Sequence, residues 1–107
     1  MRWASLAAGT YPELRLMYHI PNEGKRSVVR GAQMKAEGLR KGVPDICLPV
    51  ARHGFHALYI EMKRRKDSRL TEEQRGWIDA LNRVGNRAVV CYGWDEARAE
   101  IEFYLAR

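Results

Sequence analysis

Three side chains near the middle of the chain have the types and spacing needed for metal-assisted phosphate chemistry. Asp45 follows Pro44 where a turn leads into a short apolar run, and Glu61 and Lys63 close a second apolar run. Side chains two residues apart in a strand share a face, so Glu61 and Lys63 are predicted to point the same way. Two carboxylates beside an ammonium group favour a hard divalent ion such as Mg²⁺, which prefers oxygen ligands.

The two apolar runs bring the carboxylates together if they pair as a β-hairpin. Residues 51–55 would form a five-residue loop containing Gly, and pairing Val50 with His56 places Asp45 directly opposite Glu61. Opposed Cβ atoms in an antiparallel pair lie about 4.5–5.5 Å apart, where two carboxylates repel unless one is protonated or a cation lies between them. The pattern therefore predicts a metal site across the hairpin.

Each of these residues also has an ordinary structural interpretation. Asp45 could cap a turn, and Glu61 with Lys63 could form an exposed strand end. Taken singly, those interpretations are favoured. The three residues together, each placed at the end of an apolar strand, favour a catalytic cluster.

The composition is that of one globular domain. A chain of 107 residues with 46% hydrophobic and 30% charged residues can build a single core, and no apolar run is long enough to cross a membrane. Cys47 and Cys91 lie in apolar runs without CxxC spacing, which favours reduced packing residues. We therefore predict one domain over residues 1–107 in a cytoplasmic, intracellular protein with no membrane partner.

Basic residues are concentrated around the acidic pair. Of the 19 Lys and Arg residues, 12 lie between Asn22 and Arg69 against 5 acidic residues, a net +7, whereas residues 70–107 carry 5 basic and 7 acidic residues. A solvated face can account for any charge run, but a basic region around an acidic metal site favours nucleic acid. The candidate phosphate contacts are Lys25, Arg26, Arg30, Arg64, Arg65 and Lys66.

Periodicity and turn residues predict the elements that precede the hairpin. Residues 1–10 fit a short helix, and residues 14–20 alternate as a strand does. Residues 25–39 fit a basic helix.

After the hairpin, Thr71 and Gln74 have the spacing of a capping box and predict a helix that runs to about Val84. Residues 88–92 fit a buried strand, and a last helix begins at about Trp94. This alternation predicts an α/β fold with a mixed sheet, in which a helical crossover joins two parallel strands. The inward stripe of the last helix is predicted to be Ala97, Ile101, Tyr104 and Leu105.

In this order the residues resemble the virus-type replication-repair nuclease (VRR-NUC) domain of the PD-(D/E)xK nuclease superfamily. A lone Pro-Asp or Glu-x-Lys occurs by chance, whereas the ordered set is specific. The resemblance covers about residues 14–107 and implies a restriction-endonuclease-like core, a mixed central sheet flanked by helices. Its matching segments are residues 19–22, 25–26, 42–45, 59–63, 70–74 and 97–105, with Gly38.

The resemblance also implies roles for individual residues. Asp45 and Glu61 would bind Mg²⁺ or Mn²⁺, with Met62 contributing its backbone carbonyl. Lys63 would be the catalytic ammonium group, and Gln74 occupies a motif position on the following helix, although the capping box also accounts for it. Two further residues of the matching segments, His19 and Asn22, join the candidate nucleic-acid contacts.

The implied activity is metal-dependent, structure-directed cleavage of DNA, with four-way (Holliday) junctions resolved by a homodimer. The alternatives are a nuclease directed to flaps or single strands, and a nucleic-acid-binding module that has lost activity. The family usually carries a metal-site Glu on its first helix, and Glu13 is the only acid ahead of the His19 segment. Either Glu13 substitutes for it, the N-terminal segment over residues 1–13 is shortened, or two carboxylates suffice.

Overall fold

The computed structural model describes residues 9–21 and 40–106. The helices predicted over residues 1–10 and 25–39 lie almost wholly outside these ranges. Four of the candidate nucleic-acid contacts also lie outside the described residues, and they are Asn22, Lys25, Arg26 and Arg30.

Within the described ranges, four strands form one mixed sheet in the order β1-β2-β3-β4. The pairs β1–β2 and β2–β3 are antiparallel, whereas β3–β4 is parallel. The predicted α/β class with a mixed sheet is confirmed. The strands are β1 (Tyr18–His19), β2 (Ile46–Leu48), β3 (Leu58–Lys63) and β4 (Arg87–Tyr92).

The hairpin of β2 and β3 has the register expected from the sequence. Ile46 pairs with Ile60, and continuing the register by one residue places Asp45 opposite Glu61. The connection differs from the predicted five-residue loop, because β2 ends at Leu48 and β3 begins at Leu58, and Arg52 and Phe55 form an isolated bridge across a two-residue turn between them. The two residues of this turn, His53 and Gly54, both have positive φ angles of 52° and 84°, as the favoured two-residue hairpin turns require.

Two helices cover the two faces of the sheet. Helix α1 (Glu72–Arg83) begins at the predicted capping box, and helix α2 (Trp94–Leu105) buries the predicted stripe of four residues. The buried strand residues packed with α2 include Ile46 and Ile60. Because Cβ atoms alternate along a strand, Asp45 and Glu61 lie on the opposite face, where α1 packs.

The first predicted strand is largely wrong. Residues Pro12–Leu16 form a 3₁₀ helix, and only Tyr18 and His19 pair with β2. Proline fits the first turn of a helix because its φ is already helical and it needs no N–H partner there. The alternation of apolar residues therefore does not reflect a strand here. Leu14 is buried as part of the 3₁₀ helix, whereas Leu16 is 55% exposed.

The two cysteines are free and buried, as predicted. Among the described residues no helix is long and apolar enough to span a bilayer.

Candidate functional site

Asp45 is held at the open end of the hairpin by the backbone of β3. Its Oδ2 accepts a hydrogen bond of 2.7 Å from the Met62 N–H. The β2–β3 register places Met62 opposite Pro44, which has no N–H, so the Met62 carbonyl receives no ladder hydrogen bond from that residue. At this position the Asp45 carboxylate, rather than a neighbouring backbone carbonyl, therefore accepts the Met62 N–H hydrogen bond, close to the Met62 carbonyl.

Glu61 is a buried carboxylate with an incomplete set of partners. It is 2% exposed, and its Oε2 accepts from Gln74 Nε2 at 3.2 Å and lies 3.8 Å from Lys63 Nζ. Its Oε1 is buried and has no hydrogen-bond partner among the described residues. Burial, and then the nearby charge of Asp45, raises the pKa of Glu61 to about 7 despite the opposing effect of Lys63.

The Gln74 side chain joins the two functional groups of the site to helix α1. Its Oε1 accepts from Lys63 Nζ at 2.8 Å and from the Thr71 N–H at 3.0 Å, and its Nε2 donates to Glu61. The Gln74 amide group therefore caps the start of helix α1 and contacts the site at the same time. Its action is to position Lys63 and Glu61.

The segment before Asp45 packs tightly against the first turns of α1. Gly42 has a φ of +89°, and a Cβ added there would lie 2.7 Å from the Glu73 backbone and 2.9 Å from the Gln74 nitrogen. The Trp77 indole N–H also donates to the Lys41 carbonyl at 3.1 Å. The sequence analysis missed this role of Gly42, for which the available signal was a glycine three residues before Asp45.

Substituting Ala for Gly42 is expected to destabilise the protein and to displace Gln74. Gly54 is a matched control, because it also has a positive φ, of +84°, but its Cβ would meet no atom within 4 Å. In both variants backbone strain should lower the free energy of unfolding by about 1–3 kcal/mol. Only Gly42→Ala should also lower the rate of the metal-dependent DNA cleavage that the family resemblance implies, by more than tenfold. The rate is measured at a temperature where both variants are folded. Equal cleavage by the two variants would contradict this role.

The donor atoms present fit a divalent ion. The unpartnered Glu61 Oε1, the Asp45 carboxylate and the Met62 carbonyl are hard oxygen ligands of the type that Mg²⁺ and Mn²⁺ take. In the part of the chain that the structure describes, no three His, Cys, Asp or Glu side chains form a metal-binding group. Among the described residues, Asp45 and Glu61 are the two carboxylates that meet at this site.

Glu13 is not brought to this pair. Its carboxylate forms an ion pair with Arg52, which lies in the hairpin turn at the end of β2 remote from Asp45. The structure therefore places the Glu13 carboxylate at Arg52 rather than at the Asp45–Glu61 pair, and its metal role stays a prediction.

The described candidate contacts for nucleic acid are placed in different ways. His19 pairs with Ile46, so its side chain belongs to the α2 face rather than to the face of Asp45. Arg64 is exposed directly after Lys63. Its neighbour Arg65 pairs with Asp67 at 3.0 Å.

Lys66, the third basic residue after β3, is paired within the protein. It forms an ion pair with Glu96 and lies 5.3 Å from the centre of the Tyr92 ring. Glu96 also accepts from the Tyr92 N–H at 3.0 Å, so one carboxylate ties this basic segment to β4 and the first turn of α2.

Comparison with known proteins identifies the family of this fold and site. The model of the VRR-NUC domain matches residues 3–95. A solved structure named "VRR_NUC domain protein" superposes with a TM-score of 0.74 at 25% sequence identity, covering 97% of this chain and 86% of that chain. No curated protein sequence matches.

Proposed function

The chain belongs to the VRR-NUC family, which implies a nuclease of the PD-(D/E)xK type acting on DNA, and on this premise we propose that it is a metal-dependent endonuclease. Asp45, Glu61 and Lys63 are its catalytic residues, and Gln74 positions two of them. The ion is Mg²⁺ or Mn²⁺.

The observation that carries the proposal is the buried Glu61 carboxylate with one oxygen unpartnered beside a second carboxylate. Burying such a group costs free energy unless its charge is compensated. A titratable group strongly perturbed by burial and by a neighbouring charge is a candidate functional group. A divalent ion would relieve both the repulsion and the missing contact.

Asp45, Glu61 and the Met62 carbonyl would hold the ion at the open end of the hairpin. When bound, a divalent ion polarises a phosphate and lowers the pKa of a coordinated water. Lys63 donates one hydrogen bond to Gln74 at 2.8 Å, and an ammonium group has three N–H donors. Its remaining donors can orient the attacking water or stabilise charge developing on the phosphate oxygens.

The preferred substrate is proposed to be branched DNA, cut by a homodimer. Two-fold dimers are the commonest assemblies and would present two equivalent sites to two strands of a four-way junction. The net charge of +6 favours a polyanionic substrate, and the exposed Arg64 directly follows Lys63. A flap-directed or single-strand-directed nuclease remains the second candidate, supported by the half-exposed Tyr18 on the same sheet face as Asp45.

A direct cleavage assay tests this function. The protein is incubated with a four-way junction, a flap, a single strand and linear duplex of the same sequence, each with Mg²⁺, Mn²⁺ or EDTA. We expect paired cuts in the junction that EDTA prevents and little cutting of linear duplex. Cuts confined to the flap or single strand would select the second candidate. DNA binding without cleavage under every metal would instead indicate a module that has lost activity.

A further inference from the structure

An exposed aromatic side chain lies on the same sheet face as the acid pair. Tyr18 pairs directly with Cys47, which is two residues from Asp45 on β2. Directly paired residues share a face, and so do residues two apart in one strand. Tyr18 and Asp45 are therefore diagonal neighbours on one face, with Cβ atoms about 7–8 Å apart or somewhat less.

Tyr18 is both exposed and anchored. It is 51% exposed although it lies in a strand, and its partner Cys47 is buried. A hydrogen bond with the Cys47 thiol raises the pKa of the Tyr18 hydroxyl. Burial, and then the charge of Cys47, raises the pKa of Tyr59 on the same face to about 12. Strand pairing fixes the backbone of Tyr18 beside β2, while about half of the residue stays open to solvent.

An exposed, anchored ring beside a phosphate-cleaving site suits a nucleobase. Stacking on an aromatic ring requires a base with an open face, and a base within a duplex is already stacked on both sides.

We propose that Tyr18 stacks an unpaired base of the DNA substrate close to the scissile phosphate. This inference rests on the proposed nuclease function and specifies its substrate class, DNA with single-stranded character next to the cut. The ordinary alternative, in which Tyr18 only secures the short strand β1, predicts no dependence on the substrate base.

The test measures DNA binding in EDTA, where no cleavage occurs, by fluorescence anisotropy with flap and linear duplex DNA. Tyr18→Leu should bind the flap roughly 5- to 150-fold more weakly than the unmodified protein. Tyr18→Phe keeps the ring and should stay within about threefold, since stacking needs only the ring. Duplex binding should be unchanged in both variants. Leu16→Ala is the matched control, because Leu16 is an equally exposed apolar residue of the same segment.

A second measurement reads the stacking directly from the DNA. An abasic site is placed at successive positions from the branch, and 2-aminopurine is placed at the same positions in parallel. At one position the abasic flap should weaken binding to the unmodified protein and have no further effect on Tyr18→Leu. The 2-aminopurine at that position should be quenched by the unmodified protein and by Tyr18→Phe but not by Tyr18→Leu.

Three results would overturn the inference. They are unchanged flap binding by Tyr18→Leu, equal losses for flap and duplex, and equal losses for Tyr18→Phe and Tyr18→Leu. Cleavage with metal alongside any of these would leave the nuclease function intact. Conversely, Tyr18-dependent stacking without cleavage under any metal would sustain the stacking site and overturn the nuclease.

Discussion

Replacing Asp45 with Asn, Glu61 with Gln or Lys63 with Met is expected to lower kcat for DNA cleavage by at least about 10²–10³-fold. The two carboxylate changes remove a negative charge from the pair that would hold the ion. The lysine change removes the one ammonium group that lies within 4 Å of Glu61 among the described residues. Each variant is assayed on the DNA structure that the unmodified protein cuts fastest.

These losses should not reflect unfolding. Burial raises the pKa of Glu61 to about 7, so its charge costs stability near pH 8. Glu61→Gln removes that charge and should be at least as stable as the unmodified protein at this pH. Asp79→Asn and Arg83→Met change exposed charged side chains of α1 and should keep cleavage within about threefold. Metal-dependent cleavage retained by all three site variants would exclude this site.

Glu13→Gln tests whether Glu13 is a third metal ligand or only a partner in a structural ion pair. Because Glu13 is paired with Arg52, this variant is expected to cleave normally wherever it is folded and to lose only stability. A loss of cleavage that excess Mg²⁺ or Mn²⁺ restores would instead place Glu13 at the ion.

Without divalent ions, the free energy of unfolding is expected to fall by on the order of 3 kcal/mol as the pH rises from about 5 to about 8. The pKa of Glu61 is about 7 in the folded protein against an ordinary value of 4.5. Between these values the folded state holds a proton that the unfolded state has released. The stabilisation is therefore complete below about pH 4.5 and is lost as the pH rises through about 7.

Addition of Mg²⁺ or Mn²⁺ should reverse this loss at pH 8, because the ion binds the ionised carboxylates of the folded state. Denaturant unfolding at pH 5, 6, 7 and 8, in EDTA and with each ion, measures both effects. Glu61→Gln is the reference, and the difference between the two proteins isolates this carboxylate. A difference that does not change with pH, or that grows in favour of the unmodified protein towards pH 8 in EDTA, would contradict the raised pKa.

Local chemistry in the sequence was enough to place the core of the site. The structure has the predicted register that opposes Asp45 to Glu61, although the connection between the two strands differs from the predicted five-residue loop. The capping box at Thr71 and Gln74 and the buried stripe of α2 were equally readable. These features depend on contacts within one element or between adjacent strands, where spacing alone decides which side chains meet.

Contacts between elements distant in sequence were decided only by the tertiary structure. Alternation around Leu14 predicted a strand, but packing on the core gave a 3₁₀ helix instead. The sequence allowed Glu13 as a ligand of the ion, whereas the fold pairs its carboxylate with Arg52. A periodic pattern shows which face of an element is apolar, but it does not show which remote partner that face will meet.

The sequence by itself determined the acid pair, the lysine beside it and the family to which they belong. The tertiary structure decided how they are held. Gly42 against α1 and the amide of Gln74 between Lys63 and Glu61 arise from the packing of a helix onto a loop some thirty residues earlier in the chain. The tertiary structure also placed Tyr18 on the sheet face of Asp45 and His19 on the opposite face. Strand pairing, rather than residue type, selects the face of each side chain.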